Sequence, residues 1–190
     1  MLLPVVIAAL IQTPSTVNIY RGAQLGRVTG YWSVSDTVLD STFPWKNFGG
    51  DFAVSGGPGK VILIRFADLD LALGGSKVKI NKARLVLDYS GIDRPVFHGI
   101  GRVLEPWGEG PIVTLAAMRP KPTKEGQPAL PDRAPYGSTT WRERMAGIAA
   151  WQAGGAGGLG DTAPISGAKM TILNDHQIAI DGLEGAVQSM

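Results

Sequence analysis

The chain has 190 residues, 44% of them hydrophobic and 18% charged, with 18 basic against 16 acidic side chains and a net charge of +2. That apolar content argues against wholesale disorder, and so small a basic excess is far from the basic stripe that nucleic-acid binding requires. The absence of cysteine excludes disulfides, thiolate metal sites and a cysteine nucleophile.

In chain order, residues 2–11 (LLPVVIAALI) form an apolar run. It is too short to span a bilayer and matches the apolar segment of a secretory signal, although no Lys or Arg precedes it. Residues 1–15 are therefore set apart as an exported leader or anchor remnant, the alternative being a buried first strand. The remainder, 16–190, reads as one domain.

Strand signals dominate this domain. Residues 36–39 lead into a turn-rich stretch, FPWKNFGG at 43–50, and residues 61–66 (VILIRF) follow a Gly-Gly-Pro-Gly turn. Residues 77–89 alternate apolar with charged, as a half-buried strand does. The phase changes near Asn81, where a bend or bulge is expected. Further strands are expected at 96–104, 170–173 and 177–180. A loop rich in Pro, Lys and Gly occupies 108–135, unusually long for a connection without structure of its own. Residues 141–151 have the nearest approach to a helical period, but Gly147 interrupts it, so a short helix or an irregular loop is expected. With 26 glycines, 13 prolines and no run of long helices, the expected class is all-β, an antiparallel β-sandwich or jelly roll.

Five pieces of the sequence, taken together, resemble the DNRLRE domain, a family related to disaggregatase repeats and polysaccharide-binding modules. They are Asp36-Thr-Val-Leu-Asp40 with the turn Asn47-Phe-Gly-Gly50; Ile62-Leu-Ile-Arg-Phe66; the stretch at 77–87; Glu105-Pro-Trp-Gly-Glu-Gly110; and Thr139-Thr-Trp-Arg-Glu-Arg144 followed by Trp151-Gln-Ala-Gly-Gly155 and Gly160-Asp161. Their order over residues 34–188 carries the resemblance, since each piece alone is common. Arg142 stands where the family usually has Asn. The resemblance also implies that the closing C-terminal strands are missing here, leaving a sheet edge for another chain or segment to cover.

The residues present no hydrolytic machinery. His98 and His176 lack metal-ligand spacing, and no Gly-x-Ser-x-Gly occurs. Glu105 and Glu109 flank Trp107, but the resemblance places them in a structural segment. The glycine-rich 154–160 lacks the Lys-Ser/Thr of a phosphate loop. Asp36, Asp40, Asp51 and Asp161 lie in or near loops; Asp36, Asp40 and Asp161 are the candidate ligands of a structural calcium, against the alternative that they cap turns. No other cofactor is implied.

Sugar binding rests on two kinds of residue. Trp32 and Trp45 stand in turn-rich surroundings where an indole face can stack on a sugar. Lys77, Lys79, Lys82 and Arg84 lie close along the strand at 77–89, where they are suited to uronate carboxylates; the plainer alternative is a solvated strand face. The expectation is a secreted or cell-surface, non-enzymatic module that binds polysaccharide, preferably anionic. It is expected to have no nucleic-acid partner and no membrane span. The competing expectation is a structural domain that self-associates through an open sheet edge.

Overall fold

A computed structural model of the chain describes residues 16–25, 28–51, 53–69, 73, 78–91, 94–110 and 134–188. The apolar leader at 1–15, most of the long loop (111–133), Lys77 and the last two residues lie outside that set.

Among the described residues eleven strands account for nearly all the regular structure. They are β1 (Ala23–Leu25), β2 (Val28–Tyr31), β3 (Val34–Asp40), β4 (Lys60–Phe66), β5 (Arg84–Asp88), β6 (Gly101–Val103), β7 (Glu143–Met145), β8 (Ala149–Ala150), β9 (Thr162–Pro164), β10 (Lys169–Asn174) and β11 (Gln177–Asp181); a five-residue helix, α1 (Glu184–Gln188), follows. Every pairing is antiparallel. One sheet has three strands in the order β10-β11-β5, and the others are the pairs β1-β2, β3-β4, β6-β9 and β7-β8. The fold is all-β, as the strand-rich sequence implies. Among the described residues no helix is long and apolar enough to cross a membrane.

The longest pair, β3-β4, runs in unbroken register from Val34 opposite Phe66 to Asp40 opposite Lys60. One face of it enters the main core, where Leu39, Leu63, Trp107, Trp151 and Ala156 are buried and Val61, Val103 and Trp141 pack around them. Clustered aliphatic and aromatic side chains of this kind are the principal source of stability, at roughly 25 cal/mol per Å² of apolar surface removed from water. A second cluster of Ala23, Tyr31 and Leu69 joins the β1-β2 hairpin to Phe66 at the end of β4 and to Val187 of α1.

Three expected elements differ in kind or length. The strand expected over 96–104 is confined to Gly101–Val103. Residues 141–151 form neither a helix nor an irregular loop but the β7-β8 hairpin, with Glu143 opposite Ala150. Gly147 adopts φ +74° in its turn, a left-handed conformation that glycine takes without steric cost and that ends any helix. The strand expected over 77–89 is confined to Arg84–Asp88. Within it the alternation holds: Leu85 and Leu87 are partly buried, whereas Arg84, Val86 and Asp88 are exposed. Asn81 sits at a bend, where the phase change requires one.

Candidate functional site

Four of the five family-like pieces, scattered through the sequence, converge on one network, whereas the stretch at 77–87 pairs with β11 apart from it. Asn47 is its hub: 4% exposed, it donates from Nδ2 to the carbonyls of Glu109 and Thr139, both at 2.8 Å, and accepts the Gly49 N–H at 3.1 Å. A buried amide must satisfy its polar atoms, and these partners tie the turn after β3 to the Trp-Gly-Glu-Gly and Thr-Thr-Trp segments. Arg65 of β4 lies with its guanidinium 4.8 Å from the Trp107 ring centroid. It also donates to the Trp107 carbonyl at 2.9 Å and to Ser35 Oγ at 3.2 Å. Thr140 Oγ1 accepts the N–H groups of Arg142 and Glu143, turning the chain into β7, and the Trp151 indole N–H donates to the Thr140 carbonyl at 3.0 Å.

Asp161 organises the glycine-rich segment. Its carboxylate accepts the backbone N–H groups of Gln152, Ala153 and Gly158 at 2.8 to 3.0 Å. Burial pushes this carboxyl up, but the three donors and nearby Arg144 outweigh burial and hold it below the usual aspartate range.

Beside the network opens a cleft of about 600 Å³ whose lining includes Trp45, Trp141, Arg142, Glu143 and Gln152. Each wall has a local cause. The Trp45 carbonyl accepts the Ala134 N–H at 2.8 Å, fixing that stretch of backbone. Trp141 lies against Gly154 and Gly155, where a Cβ on either would overlap the indole. Arg142 projects from the turn into β7 and places its guanidinium 4.8 Å from the Trp45 ring centroid. Gln152 is anchored through Oε1, which accepts the Gly160 N–H at 2.7 Å. The cleft thus joins the indoles of Trp45 and Trp141 (with the core residue Trp151 also in the lining), a planar cation and side-chain amide and carboxylate groups. Such a combination can stack on the apolar face of a sugar ring and hydrogen-bond its polar rim.

The other residues expected to bind ligand are dispersed. Trp32 is 71% exposed and lies over Gly30, where a Cβ would come within 2.7 Å of its Nε1; it is a separate surface aromatic on the β1-β2 hairpin. On the basic strand face, two of the four residues share one carboxylate. Arg84 grips Asp181 with both ends of its fork, at 2.7 and 2.8 Å, and Lys82 lies 3.9 Å from the same carboxylate. The Arg84 hydrogen bonds hold Asp181 below the ordinary aspartate range. Lys79 is exposed, and Lys77 lies outside the described residues.

Asp36, Asp40 and Asp161 do not assemble into one ion site. Among the described residues no group of three or more His, Cys, Asp or Glu side chains is placed to hold a metal ion. Asp40 caps the turn by accepting the Thr42 N–H at 2.8 Å and pairs with Lys60 at 3.4 Å, and Asp161 is occupied by its three donors. Asp36 belongs to a different group. Its own N–H donates to Glu109 Oε1 at 3.1 Å, and Arg21 lies 3.4 Å from the same oxygen. Burial raises the Asp36 carboxyl, Arg21 works against that rise and Glu109 adds to it. Glu105 pairs with Arg144 at 3.1 Å, so both glutamates that flank Trp107 are engaged in holding the segment.

Trp141, Arg142 and Gln152 escape a search for exposed aromatics, because their segments read as core anchors. Arg142, where the sequence departs from the pattern it resembles, is the one signal in the sequence that points to them.

No protein-family model matches this chain, and neither a curated protein nor a solved structure does.

Proposed function

We propose that this chain is a non-catalytic, exported binding module, a jelly-roll-like β-sandwich of the DNRLRE type, that takes polysaccharide in the Trp45–Trp141 cleft and prefers acidic glycans. The observation that carries the reading is the Arg142 guanidinium stacked 4.8 Å over the Trp45 ring at an open cleft. Stacking on indole pre-orients a guanidinium, whose fork matches a carboxylate bidentately. A uronate residue offers both an apolar ring face for the indoles and a carboxylate for Arg142. The ordered family-like segments support a binding module, and the apolar leader supports export. Trp32 supplies a second stacking surface apart from the cleft.

Affinity electrophoresis against neutral and uronate polymers tests this. The expected result is stronger retardation by uronate polymers, weakened about tenfold (~1.4 kcal/mol) by Trp45→Ala and by Arg142→Ala. Arg142→Ala should lose the preference for acidic over neutral polymer. Equal migration of the wild-type chain in every polymer rejects the reading.

A further inference from the structure

We infer that the outer edge of β5 is a self-complementary interface through which two copies of this chain join their three-stranded sheets, antiparallel, about a two-fold axis at Val86. The phase of the hydrogen bonding carries it. The Tyr89 N–H donates to the His176 carbonyl at 2.8 Å, immediately beyond the pair Asp88–Gln177. In an antiparallel ladder the residues that bond to a given neighbour alternate. Leu85 and Leu87 therefore spend their backbone groups on β11, and those of Arg84, Val86 and Asp88 point away from it. Among the described residues β5 pairs with β11 alone, and all three of these residues are exposed, Val86 to 47%.

That edge matches itself. Under a two-fold axis at Val86, each outward N–H and C=O of Arg84 meets its counterpart on Asp88 of the other copy, and Val86 pairs with Val86. The side chains follow the same symmetry. The two valines cover each other at the centre, and at each end Arg84 comes to lie between Asp181 of its own sheet and Asp88 of the other copy. Opposite charges across a strand pair stabilise it and like charges oppose it, so this register is the favoured one. An isologous contact of this kind closes as a dimer and does not propagate.

The opposite edge of the sheet, β10, is less suited. Its pairing is irregular between Ile172 and Asn174, and its charge is limited to Lys169 at one end, so it offers no complementary row. Natural edge strands are commonly protected by an outward lysine, a proline or a bulge. β5 has a regular register along all five residues and none of these devices at Val86.

Sedimentation velocity of the full chain between about 1 and 200 µM, the range suited to a small interface, provides the test. A concentration-dependent monomer–dimer equilibrium is expected. Val86→Lys and Val86→Glu should each weaken it at least tenfold, and an equimolar mixture of the two variants should restore a heterodimer, because only a two-fold axis at this position brings the two new side chains together. In the wild-type chain, amide hydrogen exchange at Val86 should slow as concentration rises. The proposal is overturned if the wild-type chain stays monomeric throughout, if exchange at Val86 is independent of concentration, or if Val86→Lys dimerises as the wild type does through the β10 edge or another surface.

Discussion

Arg65 lies 4.8 Å over the Trp107 ring and donates a 2.9 Å hydrogen bond to the carbonyl of the same residue. One side chain of β4 thereby holds both the ring and the backbone of a core tryptophan. Replacing Arg65 by Met keeps much of the apolar stem but leaves the Trp107 carbonyl without this donor. A loss of about 2–3 kcal/mol is expected, the usual cost of an orphaned acceptor plus the lost cation–π contact. Urea unfolding monitored by tryptophan fluorescence measures it, and a change under about 0.5 kcal/mol, typical of a plain surface position, contradicts the role assigned to Arg65.

Gly110 is a second structural point. It adopts φ +92°, and a Cβ there would stand 2.5 Å from Asn47 Oδ1 and 2.7 Å from Ser138 Cβ. Gly110→Ala combines an unfavourable backbone conformation with a collision against the Asn47 hub, and should cost about 2–4 kcal/mol. Gly56→Ala, in open space with an ordinary φ, is the control and should be near neutral. Paired thermal melts of the two variants read the contrast.

Asp161 sets an acid limit. Its folded carboxyl is held below the usual range, so the unfolded chain takes up a proton at higher pH than the folded one does. The stability this contributes is fully present above the unfolded value near 3.9 and disappears as pH falls through the folded value. Asp161→Asn should destabilise the fold by about 2 kcal/mol at neutral pH, from weakened charge-assisted bonds to three backbone donors, and by less at pH 3. Denaturant unfolding at both pH values checks the sign, and an equal loss at the two would contradict it.

Asp36 should behave in the opposite sense. Its folded carboxyl is raised, chiefly by burial and further by Glu109, with Arg21 opposing. The folded state therefore binds that proton more readily, and ionisation of Asp36 costs stability above its raised value. Asp36→Asn is expected to leave the melting temperature at pH 7 unchanged or to raise it by a few degrees, with the gain shrinking toward pH 4. A drop at pH 7 would show that the Arg21 attraction outweighs burial.

In the cleft, Gly154→Val offers a test that leaves Trp45 and Arg142 untouched. A side chain there displaces the Trp141 indole, so retention on uronate polymer should fall several-fold with a smaller effect on stability, because Gly154 itself is exposed. Isothermal titration alongside a thermal melt separates the two effects.

Much of the scaffold was legible in the sequence because its cause is local. The period-two alternation at 83–89 predicts that Leu85 and Leu87 face inward, and they do. The compact apolar run at 61–66 predicts β4. The parity change at Asn81 predicts a bend. Helical periodicity at 141–151 was the misleading local signal, since Gly147 in a left-handed turn outweighs three apolar residues at helical spacing.

Composition and pattern by themselves determined an all-β, cysteine-free chain of antiparallel strands, together with most of the ordered segments that turn out to meet around Asn47 and Asp161. Which side chains remain available for a ligand was decided only in three dimensions. Lys82 and Arg84 read as a basic row until the pairing of β5 with β11 brings up Asp181, which lies 97 positions from Arg84. Trp45 and Arg142 belong to unconnected segments until the turn after β3 and the entry to β7 close on one cleft. Local periodicity encodes which face of a strand is apolar; it does not encode which distant charge or ring will be packed against that strand, because long-range pairing depends on the register and order of the sheets.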